Sequence, residues 1–250
     1  MGISVETPIS LSILEYEPEL SEKMDRLESS EAFMKIVKLI QTGKIRDVHV
    51  DVMRPPMIPG KNKFSTSLIK KLYEKLSDKV ALTIHLMVSY PFEIIEEINR
   101  FIEPIDRAKI TLILQVESFV SEDEALEAIE LLKGYGYKVG VCLNLPTSED
   151  RLTDNIANSA DIILLMTVPM GLGGQKYREE ATQRIKKFSA RFPNKIIEVD
   201  GGIDPKTIVK VWRAGARVFV IGSYITLSEK PEEALLNLEK SLKMCSEAYS

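Results

Sequence analysis

Eight short apolar runs rich in β-branched residues recur along this 250-residue chain, at 9–14, 48–53, 80–87, 110–116, 138–143, 162–168, 195–199 and 217–221. Most are nearly continuous in hydrophobicity rather than alternating. That is the pattern of parallel strands covered on both faces, since a strand with one wet face alternates. Helical patterns lie between them. Pro91 opens one that carries Ile94, Ile95, Ile98 and Phe101 at helical spacing. Ser121 stands three residues before Glu124, a capping-box signature ahead of Ala125, Leu126, Ile129 and Leu132. Asp204-Pro205 predicts a cap with proline at the first helical position, and residues 232–244 put Leu235, Leu238 and Leu242 on one face. Gly134, Gly136 and Gly215 fall where helices should stop.

Eight strand–helix units in 250 residues predict an α/β protein, a single-domain (β/α)8 TIM barrel over residues 1–250. The alternative, a doubly wound open sheet, usually carries a glycine-rich loop after its first strand. Here Leu14-Glu15-Tyr16-Glu17-Pro18 follows that strand, without glycine. No linker or low-complexity segment interrupts the pattern. The one unusual connection, Pro55-Pro56-Met57-Ile58-Pro59-Gly60, is too short for a domain boundary, though such loops carry function.

Charge and composition remove several functional classes. A net charge of −4 leaves no electrostatic footprint for nucleic acid and no polybasic membrane contact. The most apolar stretch, 162–170, is too short to span a bilayer. No basic segment followed by an apolar run opens the chain, and Glu6 stands where a myristoylation motif needs Ser or Thr. Cys142 and Cys245 show no metal-ligand spacing and read as reduced thiols of a cytoplasmic protein.

Barrels of this kind do their chemistry at the C-terminal strand ends. On strand two, His49, Asp51 and Met53 are two apart and share a face, while Val48, Val50 and Val52 take the other. Strand three puts His85 and Met87 together, and strand seven Glu198 and Asp200. Both histidines of the chain therefore sit on strand ends. His49, Asp51, His85 and Asp200 form a candidate ligand set for Zn²⁺, Fe²⁺ or Mn²⁺, because charged residues are rarely buried without a partner. Glycine-rich segments follow strands six, seven and eight, at 171–175, 200–202 and 222–223. Glycine lets backbone N–H groups approach an anion, and a helix starting beyond adds a favourable dipole.

These segments resemble the ribulose-phosphate 3-epimerase family along nearly the whole chain. Ser10-Leu11-Ser12-Ile13-Leu14 resembles its P-S-I-L strand, and Val48-His49-Val50-Asp51-Val52-Met53 its H-V-D-V-M segment. Ile84-His85-Leu86-Met87 resembles H-L-M, and Lys138 to Asn144 the K-x-G-x-x-L-N-P strand. Leu164 to Val168 with Gly171 to Gln175 resembles L-L-M-S-V-N-P-G-F-G-G-Q, Glu198 to Ile203 resembles E-V-D-G-G-I, and Gly222-Ser223 the late G-S.

The resemblance implies roles. One divalent ion (Zn, Fe, Mn or Co) would be held by His49, Asp51, His85 and Asp200, with Asp51 and Asp200 as acid and base on opposite faces of a ketose phosphate. Ser12, Met53, Met87 and Met166 would line the site, and Gly173, Gly174, Gly201, Gly202, Gly222 and Ser223 would hold the phosphate. The implied reaction is epimerisation at carbon three of D-ribulose 5-phosphate to D-xylulose 5-phosphate. Family members are often homo-oligomers.

The chain departs from the family in places. Arg54 replaces an acidic residue after Met53, within a proline-stiffened loop, and is read as a partner of a substrate oxygen, of a site carboxylate, or of solvent. Gln115 replaces a strand-four histidine. Pro169-Met170 replaces Asn-Pro, Pro146 comes one residue late, and the region 18–41 is longer. An epimerase of another ketose phosphate, such as allulose 6-phosphate, and a phosphosugar-binding barrel without turnover are the competing readings. A lyase is disfavoured, because related lyase barrels use an Asp-x-Lys on strand three and 84–87 has no lysine.

Overall fold

Parallel strands pair in sequence order and the eighth closes on the first, giving an eight-stranded barrel. The computed structural model describes residues 7–247, with side chains as far as residue 245. The expectations drawn from Met1, Gly2 and Glu6, and the domain limits at residues 1 and 250, lie outside them. The strands are β1 (Ile9–Ser12), β2 (Ile45–Met53), β3 (Ala81–Met87), β4 (Ile110–Gln115), β5 (Lys138–Leu143), β6 (Ile162–Met166), β7 (Ile196–Asp200) and β8 (Val218–Ile221). β1 ends two residues earlier than the apolar run predicts, because the chain turns at Leu14–Tyr16 into a 3-10 helix. β2 begins three residues earlier, at Ile45, where it pairs with Ile9.

Helices cover the outside: α1 (Glu17–Glu22), α2 (Glu31–Gln41), α3 (Thr66–Leu76), α4 (Pro91–Asn99), α5 (Glu122–Gly134), α6 (Asp154–Ser159), α7 (Glu180–Arg191), α8 (Thr207–Ala214), α9 (Ser223–Thr226) and α10 (Pro231–Glu247). The Ser121 hydroxyl accepts from the Glu124 N–H at 3.2 Å, as the capping signature predicts. The return bond differs by one residue, since Glu124 accepts from Val120 N–H rather than from Ser121. α8 starts at Thr207, two residues past the expected proline, because Asp204 Oδ1 caps the N–H groups of Lys206 and Thr207, both at 2.8 Å. Gly215 ends α8 at φ 114°, a left-handed conformation.

The alternation of β2 splits its side chains between two compartments. Val48, Val50 and Val52 join the apolar layer between barrel and helices, with Ile36 and Leu72. Fully burying an aliphatic side chain of this size is worth about 1.5–3 kcal/mol, so this layer sets the register of β2. The opposite face looks into the barrel, whose interior also holds Ile113, Cys142, Leu164 and Val220. Cys142 and Cys245 are both free and buried. No helix among the described residues is long and apolar enough to cross a membrane.

Candidate active site

Register carries the polar residues to one end. Ser12 pairs with His49, Asp51 with His85, Met53 with Met87, and Met166 with Asp200. One ligand atom from each of His49, Asp51, His85 and Asp200 lies within 4.8 Å of the others. Asp51 Oδ1 is 3.2 Å from His49 Nε2 and 3.3 Å from His85 Nδ1, yet none of these three buried atoms has a hydrogen-bond partner. Leaving several buried polar atoms unpaired at one point costs about 1–3 kcal/mol each. Their convergence in N and O donors is what a divalent cation would satisfy, so the residues fit a metal.

Neighbouring groups hold the cluster in place. The Ser12 hydroxyl donates to Asp51 Oδ2 at 2.9 Å, leaving Oδ1 for the cluster. The buried Gln115 amide has one orientation that satisfies every neighbour. Its nitrogen donates to Glu117 Oε2 at 2.6 Å and to the Cys142 carbonyl at 3.2 Å, and its oxygen accepts from His85 Nε2 at 2.9 Å. That puts the His85 proton on Nε2 and turns the Nδ1 lone pair toward Asp51. Glu117 Oε1 in turn accepts from the Asn144 N–H, and Asn144 Oδ1 accepts from Met170 N–H in the loop after β6. Beneath the cluster, Glu198 Oε1 lies 3.9 Å from His49 Nδ1, and Arg46 reaches Glu198 at 3.6 Å and Asp47 at 3.4 Å.

The two catalytic candidates have unequal surroundings. Burial works to raise Asp51, but His49 and His85 outweigh it and hold the carboxyl well below the usual range. Burial pushes Asp200 up to about 8, and the Asp51 charge adds to the effect. Burial would lower His49, but the neighbouring Asp51 carries it up to about 9. Burial lowers His85, and Asp51 only partly compensates.

Above the cluster opens a cleft, continuous with solvent. Ser12, Asp51, Met53, Met87, Met166 and Asp200 line it, with Gly173, Gly174, Gly201, Gly202, Gly222 and Ser223 along one wall. The histidines lie fully buried below. Gly202 has φ 65°, and a Cβ there would overlap the Tyr177 backbone, so the turn after β7 and the loop after β6 pack backbone to backbone. Thr167 locks them together through its N–H, which donates to the Asp200 carbonyl at 2.7 Å. The helix after β8 is the single turn α9, and α7 begins five residues past Gln175, so neither brings a long helix dipole directly to this wall.

Among the described residues Arg54 has no ion pair with a site carboxylate; its hydrogen-bond partners are backbone carbonyls. It is half-buried, and its guanidinium donates to the carbonyls of Met53 and Phe64, both at 2.8 Å, and to that of Lys63. It thereby staples the loop that ends β2, in which the Pro55–Pro56 peptide is cis. Glu15 is among the lining residues that went unrecognised in the sequence. It lies three residues past β1 and enters the cleft wall. Its place directly after a barrel strand was the available signal.

Fold and site together define a (β/α)8-barrel enzyme with a buried imidazole–carboxylate donor set at the strand C-termini. Comparison with known proteins narrows this. The profile of the ribulose-phosphate 3 epimerase family matches residues 28–226. The ribulose-phosphate 3-epimerase, cytoplasmic isoform, of Oryza sativa subsp. japonica is 31% identical over 199 residues, covering 78% of this chain and 82% of the relative. Ribulose-phosphate 3-epimerase of Helicobacter pylori (strain ATCC 700392 / 26695) is 32% identical over 220 residues, covering 84% and 94%. The chain belongs to the ribulose-phosphate 3-epimerase family and is thus an isomerase of the carbohydrate-epimerase class. Among solved structures, KGPDC from Streptococcus mutans superposes with a TM-score of 0.64 at 9% identity, covering 95% of this chain and 98% of the other. The 3-hexulose-6-phosphate synthase from Salmonella typhimurium gives 0.63 at 18%, covering 95% and 99%. At these identities the likeness is one of fold.

Proposed function

We propose that the chain epimerises carbon three of D-ribulose 5-phosphate, giving D-xylulose 5-phosphate, with Asp51 and Asp200 as the acid–base pair. The observation that carries this reading is the meeting of two carboxylates and two imidazoles within 4.8 Å at the floor of a cleft. His49, Asp51, His85 and Asp200 would hold one divalent ion, whether Zn, Fe, Mn or Co, since this donor set accepts several. When bound, such an ion supplies Lewis-acid stabilisation of negative charge on substrate oxygens, worth several kcal/mol.

The chain's own groups do the rest. Epimerisation beside a ketone removes a weakly acidic C–H proton and returns one to the opposite face of the enediolate. One carboxylate must start ionised and its counterpart protonated, and the roles exchange in the reverse direction. Positioned acid–base groups contribute about 10²–10⁴-fold. The contrast between the surroundings of Asp51 and Asp200 supports that division of labour. Ser12 steadies Asp51 through its hydroxyl. Met53, Met87 and Met166 form an apolar wall that excludes water without offering hard ligands. The wall of Gly173, Gly174, Gly201, Gly202, Gly222 and Ser223 is the place for the phosphate.

The test is exchange in ²H₂O. Metal-loaded protein with D-ribulose 5-phosphate should place deuterium at carbon three without cleavage of the sugar. Asp200→Asn should abolish exchange while leaving phosphate affinity mostly intact. Absence of exchange at full metal loading, or wild-type turnover in Asp200→Asn, refutes the assignment. Running allulose 6-phosphate alongside ranks the two ketose phosphates.

A further inference from the structure

The wall assigned to the phosphate already contains an acidic side chain. Glu15 sits in the turn after β1, and its side chain reaches between the loops that follow β6 and β8. A Cβ on Gly173 would stand 2.5 Å from Glu15 Oε1, and one on Gly222 would stand 3.1 Å from Oε2. The space left by two of the wall glycines is therefore filled by this carboxylate. The Thr226 hydroxyl donates to Oε2 at 3.0 Å and holds it there.

The charge around it is unfavourable to an anion. No described lysine or arginine lines the cleft, whereas Glu15, Asp51 and Asp200 all do. A divalent ion at the floor would offset Asp51 and Asp200, because they belong to the donor set. Glu15 is outside that set, so its charge acts directly on whatever enters beside Gly173 and Gly222.

We infer that Glu15 is a specificity-determining residue whose carboxylate competes with a substrate phosphate for the glycine wall. It does what a repulsive element does in any selective site, which is to weaken one class of ligand more than another. The chain consequently holds a phosphorylated ketose more loosely than the glycines alone would, and discriminates less against a ketose ending in a hydroxyl. The inference rests on the proposed location of the phosphate end.

The experiment uses inorganic phosphate as probe on the full chain, by calorimetry or ³¹P line broadening. Glu15→Gln keeps the shape and the acceptor for Thr226 but removes the charge. It should bind phosphate about tenfold more tightly, the direction expected when a like charge is removed from an anion site. Its KM for D-ribulose 5-phosphate should fall while that for D-ribulose does not. Glu15→Ser, which empties the space as well, should move the same way, with thermal unfolding confirming its fold. Unchanged or weaker phosphate binding in Glu15→Gln overturns the inference, as does failure of all three proteins to bind phosphate. If carbon-three exchange fails while the phosphate contrast persists, only the epimerisation reading falls and the role of Glu15 stands.

Discussion

Replacing Gln115 by leucine should weaken divalent-metal binding without unfolding the barrel. Gln115 is fully buried, and its amide makes three bonds, to His85 Nε2, Glu117 and the Cys142 carbonyl. Leucine nearly conserves the volume, so no large cavity opens. What is lost is the acceptor for His85. A buried N–H left without a partner costs about 1–3 kcal/mol. His85 can escape that cost by moving its proton to Nδ1, where Asp51 Oδ1 waits at 3.3 Å. The lone pair that faces the donor cluster then disappears. By either route the outcome is a loss of about 10–100-fold in affinity, the usual effect of removing a group that orients a metal-ligating histidine. At 1.4 kcal/mol per tenfold that is roughly 1.4–2.8 kcal/mol, which agrees with the hydrogen-bond figure. The assay is a chelator-competition titration of metal-stripped protein with Zn²⁺ and Mn²⁺, together with imidazole ¹⁵N shifts that report the His85 tautomer. His85→Ala sets the floor, and Gln115→His, which restores a ring-nitrogen acceptor, should recover most of the affinity. A folded Gln115→Leu protein with wild-type affinity and an unchanged tautomer would refute the argument.

Two further outcomes follow from the same structure. The metal-stripped protein should lose thermal stability as pH rises from about 6.5, the unfolded histidine value, to 9. Native His49 holds its proton up to about 9 and Asp200 to about 8, so the folded state binds more protons than the unfolded one in this window, and its stability falls as they leave. Saturating metal, which needs deprotonated ligands, should flatten or reverse the slope; a rising melting temperature in stripped protein over that range would count against it. Away from the site, Gly215→Ala should destabilise by about 1–3 kcal/mol in chemical denaturation, because φ is 114° and a Cβ would overlap the Ser189 hydroxyl. A change under about 0.5 kcal/mol would show that α8 and the Ser189 side chain adjust freely.

Much of the site was legible in one dimension. A period of two on 48–53 assigns His49, Asp51 and Met53 to one face whatever the barrel does later, and the structure keeps that assignment. Arg54 could not be read in the same way. Its partners, the carbonyls of Lys63 and Phe64, are supplied by a loop that folds back on the end of β2, and nothing in the intervening composition announces that return. Gln115 was visible as a departure from the family pattern, but its effect on His85 depends on an amide orientation imposed by Glu117 and Cys142.

By itself the sequence determined the eight-fold alternation, the faces of the strands and the residue types able to hold a cation or move a proton. Those follow from local geometry, because side-chain direction along a strand is set by the backbone repeat. Only the tertiary structure decided which of those groups meet. Asp200 comes within reach of Asp51 because β8 closes on β1 and the strands share one register. The same closure brings Glu15, from the turn after the first strand, against Gly173 and Gly222 of the sixth and eighth units. Contacts between residues some 150 to 200 positions apart depend on barrel closure and shear, which no local pattern encodes.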